Sequence, residues 1–283
     1  MDYQRFSRAI ALRDDGENAA ALRELEELTA LESNDTDKGI LLLNQANCLW
    51  RIGRLEDARR RLREAERSGS TPFTEFLDAC ICVTERKSEE AIQKLRGFLT
   101  RHAALKQSEH YRVYFDAADE LGVLLFNHGR FADAIGPLEQ ALTITEGDHR
   151  KTLCFYLGVC YFKAERWDSA EERLIQSLPD DHLDPWWLQA QYYLGLCHCA
   201  NRRWDAAEYS LSQCLPTDRS EPLWALAQQQ LGIVYFHRGA YVKAKMAFEV
   251  SELFLDDAEL RANSERWLAA IRSKLDLPEQ PRF

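Results

Sequence analysis

The sequence has no long charge-free apolar run, no glycine-rich phosphate loop and no surplus of positive charge, and each absence excludes a class of function. No stretch reaches the roughly 20 apolar residues of a membrane span. The opening "MDYQRFSRAIALRDDGENAA" lacks an apolar core of the secretory kind, so an exported protein is not expected. Neither G-x-S-x-G nor H-E-x-x-H occurs, which leaves no catalytic signature and implies no cofactor. A formal net charge of −10 opposes general binding to nucleic acid or anionic lipid. The Arg59-Arg60-Arg61 run is diluted by Glu56, Asp57, Glu64 and Glu66 and reads as a solvated helix face. Eight cysteines without an export signal point to reduced thiols and a cytoplasmic location.

Apolar residues are plentiful, at 46% of the chain with 11% aromatic, enough for a folded core. They recur at helical spacing, and no segment alternates like a strand. "YLGVCYFKAERWDSAEERL" from Tyr156 returns 37 residues later as "YLGLCHCANRRWDAAEYSL", and 37 later again as "QLGIVYFHRGAYVKAKMAF". A small residue recurs in the first helix of each unit: Ala9, Ala46, Ala79, Gly122, Gly158, Gly195 and Gly232. The second helix carries Ala21, Ala58, Ala91, Ala134, Ala170, Ala207 and Ala244. Four residues after each alanine stands Leu25, Leu62, Leu95, Leu138, Leu174, Leu211 or Phe248. A small residue lets two helix backbones approach, and the large side chain on the partner helix fills the groove.

This pattern resembles the tetratricopeptide repeat (TPR) family over residues 2 to 275. The resemblance implies an all-α chain, a right-handed α-solenoid of about seven helix-turn-helix repeats closed by a capping helix. Repeats 1–3 are expected over residues 2–105, repeats 4–7 over 106–258, the capping helix over 259–277 and a tail over 278–283. Repeats 1 and 3 are degenerate, with Asn18 and Ser88 where an aromatic or Leu usually stands. Extra residues near "RHAALKQSEHYRVYF" imply extended helices or a longer loop between repeats 3 and 4. Asp257 is placed to cap the final helix. Pro72, Pro185 and Pro222 suit first helical turns, while Pro137 falls inside a second helix.

The stretch "LGLCHCA" at 194–200 looks like a metal ligand set, but on a helix Cys197 and Cys199 point about 200° apart. Each cysteine instead has a repeated interhelical place, and no metal site is expected.

In the family, the first helices line the concave groove in which partners lie. The inward places here hold Trp50, Phe126, Phe155, Tyr156, Phe162, Tyr192, Tyr193 and Phe236, together with the polar Asn44, Asn47, Asp119 and Glu120. Large rigid aromatics are frequent binding anchors. The acidic residues and the lack of matching basic groups in repeats 2–4 disfavour the family's clamp for acidic C-termini. A partner protein or peptide with apolar anchors and some Lys/Arg fits better. The expected role is a non-catalytic adaptor or scaffold, with neither nucleic acid nor membrane as partner. Two alternatives stay open: the groove could be filled by the chain itself, or the chain could be a peptide sensor whose superhelix changes curvature.

Overall fold

The computed structural model describes residues 1–69, 71–179, 185–215, 222–254 and 257–275. Fifteen α-helices and one 3-10 turn occur among them. In chain order, the first eight are α1 (Tyr3–Asp14), α2 (Asn18–Leu31), α3 (Asp35–Arg51), α4 (Leu55–Arg67), α5 (Pro72–Thr84), α6 (Ser88–Arg101), α7 (Tyr111–Asn127) and α8 (Phe131–Leu142). The rest are α9 (Gly147–Lys163), α10 (Trp167–Ser177), α11 (Pro185–Ala200), α12 (Trp204–Ser212), α13 (Pro222–His237), α14 (Tyr241–Glu252) and α15 (Ala258–Leu275). Odd-numbered helices to α13 are the first, or A, helices of seven pairs. Among the described residues, no helix is long and apolar enough to cross a membrane.

The chain forms two compact units, residues 1–130 with 136–144, and residues 131–135 with 145–283. Residues 106–130, grouped from sequence with the later repeats, therefore sit in the first unit. Within each unit a helix packs on its neighbours in sequence, and A helices also touch the next A helix, as α3 on α5 or α11 on α13.

The packing follows the repeated residues. All seven helix-B alanines and the three helix-A alanines are fully buried. A Cβ added to Gly122, Gly158, Gly195 or Gly232 would lie 2.5–2.8 Å from Leu138, Leu174, Leu211 or Phe248, so the large residue occupies the space that glycine leaves. The small place late in helix B is buried as well, holding Ala65, Ala141, Ser177, Cys214 and Ser251 in different pairs. Buried Ser177 and Ser251 each donate to their own helix carbonyls, at Leu174 and Phe248, which satisfies hydroxyls that burial would otherwise strand.

Every pair turns in the same way. Seven residues after the small A-helix residue the backbone is left-handed, at Gly16, Gly53, Arg86, Gly129, Glu165, Arg202 and Gly239. Around each of them two reverse hydrogen bonds close the helix end, for example Gly53 N–H to the Trp50 carbonyl and Arg54 N–H to the Leu49 carbonyl. That is the Schellman arrangement, which satisfies carbonyls at the helix C-terminus. Four of the seven places carry glycine, which adopts this backbone freely.

Other local expectations meet their outcomes in the structure. Pro72 begins α5 beneath a capping box made by Thr71 and Thr74, and Asp257 accepts from the Glu259 and Leu260 N–H groups at the start of α15. The extra residues before repeat 4 form a 3-10 turn, Ala103–Gln107, rather than a longer helix. Pro137 lies inside α8. The tail from residue 278 lies outside the described residues.

Candidate protein-interaction surface

The first unit holds the polar members of the expected set. The Asn44 side-chain oxygen accepts from Arg13 at 2.6 Å, and Asn47 accepts from Arg51 at 2.9 Å. Trp50 is half-buried and its indole N–H donates to Thr84 at 2.7 Å, so three of these groups already have partners from their own unit. Asp119 and Glu120 are half-buried on α7. Burial, and then the charges of Glu120 and Asp116, hold the Cys80 thiol of α5 well above its ordinary range. Phe126 is half-buried on the same helix.

In the second unit the aromatic members meet one another. Phe155 and Tyr156 on α9 stand edge-on to Trp186 on α11, with centroids 5.0 and 5.9 Å away. Tyr193 touches both Phe155 at 6.0 Å and Phe162 at 5.7 Å, and Tyr192 lies 5.7 Å from Tyr193. Edge-to-face contacts of this kind add about 0.5–1.5 kcal/mol each beyond buried area. Burial pushes the Tyr192 and Tyr193 phenols upward, so both stay neutral near pH 7. Phe236 belongs to a separate group, 5.0 Å from Trp267 and 5.5 Å from Tyr241.

One expected surface residue is not at the surface. Phe155 is 5% exposed, because its place faces the adjacent A helix and its ring is covered by Trp186 and Tyr193. The other aromatics of the set are half-buried.

Trp186 went unnoticed in the sequence. It is 41% exposed and stands over a cavity of about 270 Å³ lined also by Phe155, Asp148, Lys151, Thr152, Ser177 and Pro179. The lining mixes apolar Phe155, Pro179 and Trp186 with polar Asp148, Lys151, Thr152 and Ser177, and binding sites combine apolar contact with a few polar groups in this way. The signal was present: Trp186 sits nine residues before Gly195, the place that Leu223 holds before Gly232.

The cysteines of "LGLCHCA" are packing residues. Cys197 is fully buried, and Cys199 rests on the core of Ala207, Leu211, Leu231 and Val234. Burial pushes both thiols up to about 12, so neither offers a thiolate near neutral pH. His198 stands where the neighbouring pairs carry Tyr161 and Tyr235. Its Nδ1 is 4.0 Å from Glu171, beyond hydrogen-bonding distance, and burial holds its pKa below the ordinary histidine value.

Comparison with known proteins agrees with this architecture. Residues 6–71 match the tetratricopeptide repeat family model. No curated protein matches the chain. The fold is similar to the C-terminal part of a TPR repeat-containing protein from Cytophaga hutchinsonii, with a TM-score of 0.58 at 15% identity over 92% of this chain and 98% of that one. It is also similar to YrrB, described as a TPR protein with an unusual peptide-binding site, with a TM-score of 0.56 at 16% identity over 72% of this chain and 97% of that one. At these identities the likeness is one of fold. Residues 6–71 thus carry the tetratricopeptide repeat match, and the whole chain repeats the same helix pair, with its small residue, alanine and left-handed turn, in a fold similar to solved tetratricopeptide repeat proteins.

Proposed function

We propose that the chain is a non-catalytic protein-interaction scaffold that holds a partner peptide or helix on the A-helix face of its second unit. The supporting observation is the exposed Trp186 above the 270 Å³ cavity, backed by the ring cluster of α9 and α11. Exposed aromatic area on a helix that also has a core-facing side raises the cost of leaving that surface bare to water. The cavity suits one apolar anchor side chain, and the half-buried Tyr156, Phe162 and Tyr193 continue the apolar area beside it. YrrB, of similar fold, is a protein described by its peptide-binding site.

The test compares what three forms of the protein retain from the organism's own extract: the native chain, Trp186→Ala, and Tyr209→Ala at an exposed place on α12. Proteins held by the native chain and by Tyr209→Ala but lost by at least tenfold with Trp186→Ala support the proposal. Equal retention by all three, with native helical content throughout, overturns it.

A further inference from the structure

Cys82, fully buried on α5, lies against two cations. The Lys94 ammonium of α6 donates to its sulfur at 3.3 Å, and the Arg59 guanidinium of α4 donates at 3.5 Å. The same Lys94 nitrogen is held by Asp78 at 2.5 Å and by Glu90 at 2.8 Å. Arg59 is shared in turn between Asp78 and Glu85. This neighbourhood belongs to the third helix pair. Three residues after the small A-helix residue, every other pair carries Leu, Tyr or His, and three after the helix-B alanine no other pair carries Lys. A thiol facing an amine therefore arises at this place once in the array, and interhelical packing requires neither group, since leucine fills the thiol's place elsewhere.

We infer that Lys94 and Cys82 form a modification site at which dioxygen builds a covalent nitrogen–oxygen–sulfur bridge between α6 and α5. What carries the inference is the pair of facing atoms, an amine and a thiol 3.3 Å apart with carboxylates on the amine. Against the effect of burial, the bonds to Asp78 and Glu90 keep the nitrogen charged. Those carboxylates are also placed to take the one proton that must leave before the nitrogen reacts. The neutral amine, the thiol and one dioxygen then give an NH–O–S bridge and one water. The amine and the thiol each give up one hydrogen, and both leave with the second oxygen atom. Nitrogen and sulfur lose two electrons each, and dioxygen takes all four. An inserted oxygen spans most of the 3.3 Å, so Lys94 stays on its carboxylates; a direct nitrogen–sulfur bond would pull it off both. Full burial shields Cys82 from the oxidations of exposed thiols, whereas dioxygen is small and apolar. The bridge closes the chain between the two helices and restrains the unfolded third pair as a disulfide does.

The test is peptide mapping by mass spectrometry of the full native chain kept in air-saturated buffer, beside the same chain kept without oxygen and with a thiol reductant. The expected product joins the Cys82 peptide to the Lys94 peptide. It is about 14 Da heavier than the two together, for one oxygen gained and two hydrogens lost. Reductant should separate the peptides and return Cys82 to alkylation. Lys94→Arg keeps a cation for Asp78 and should leave all eight cysteines open to alkylation after denaturation, even from air-saturated buffer. A product about 2 Da lighter than the two peptides would be a direct nitrogen–sulfur bond and overturns the oxygen bridge. Cys82 recovered as a disulfide or a sulfinic acid, or still fully alkylated after long exposure to air, overturns the site. Equal loss of Cys82 alkylation in the native chain and in Lys94→Arg shows that the amine takes no part, and the inference fails.

Discussion

Glycine in a helix costs roughly 1 kcal/mol relative to alanine, yet four of the A helices keep one where the helices cross. The reason is steric: a Cβ on Gly195 would meet Leu211 Cγ at 2.5 Å. Overpacking of this kind costs about 1–3 kcal/mol, more than the gain in helix propensity. Gly195→Ala should therefore lower stability by about 1–2 kcal/mol in urea unfolding. In a double-mutant cycle with Leu211→Ala the two changes should be less than additive, because truncating Leu211 vacates the space the new methyl needs. Additivity would show that the contact does not carry the effect. The crossing was readable from sequence because it needs a residue type at a fixed spacing. The burial of Phe155 was not, since a ring at one place on a helix can serve the neighbour or the solvent. That choice depends on Trp186 and Tyr193, which arrive from another helix.

At the scale of the helix pair, the turn is the most uniform part of the structure and the part least visible in the sequence. Four left-handed places announce themselves as glycine, whereas Arg86, Glu165 and Arg202 do not, and only alignment of the pairs puts them in the same position. A left-handed backbone costs an L-residue about 1–2 kcal/mol. All three side chains are exposed, so Arg86→Gly, Glu165→Gly and Arg202→Gly should each raise stability by about 1 kcal/mol. Added together, they should shift the chemical-unfolding midpoint upward with the slope unchanged. No shift would mean that the turns are held by something other than backbone preference. The helix boundaries near Pro72 and Asp257 were legible for the opposite reason, because proline and capping residues act on the residues beside them.

At the largest scale, contacts within each unit run between sequence neighbours and between successive A helices, so each unit is a chain of local interfaces. Gly158, Gly195 and Gly232 fall 37 residues apart and each meets its helix-B partner in the same geometry. Removing residues 195–231 would join the first half of α11 to the second half of α13 in register. The shortened chain is expected to stay helical by circular dichroism and to melt in one cooperative transition. A broad, non-cooperative melt would show that the pairs are not equivalent modules. Charge is the property that changes from one place to another. It is dense on α4, with its run of arginines and acids, and absent from α11 and α13, and binary patterning alone does not predict that contrast.

The 37-residue identity of register has a consequence for inheritance. Two stretches of a gene that encode near-equivalent helices can misalign during copying, and a slip by one period would insert or delete a complete helix pair without breaking a turn or a core contact. The length of the array, and with it the area offered to a partner, can then change in whole steps in a single event, while point substitutions adjust the chemistry of each step afterwards.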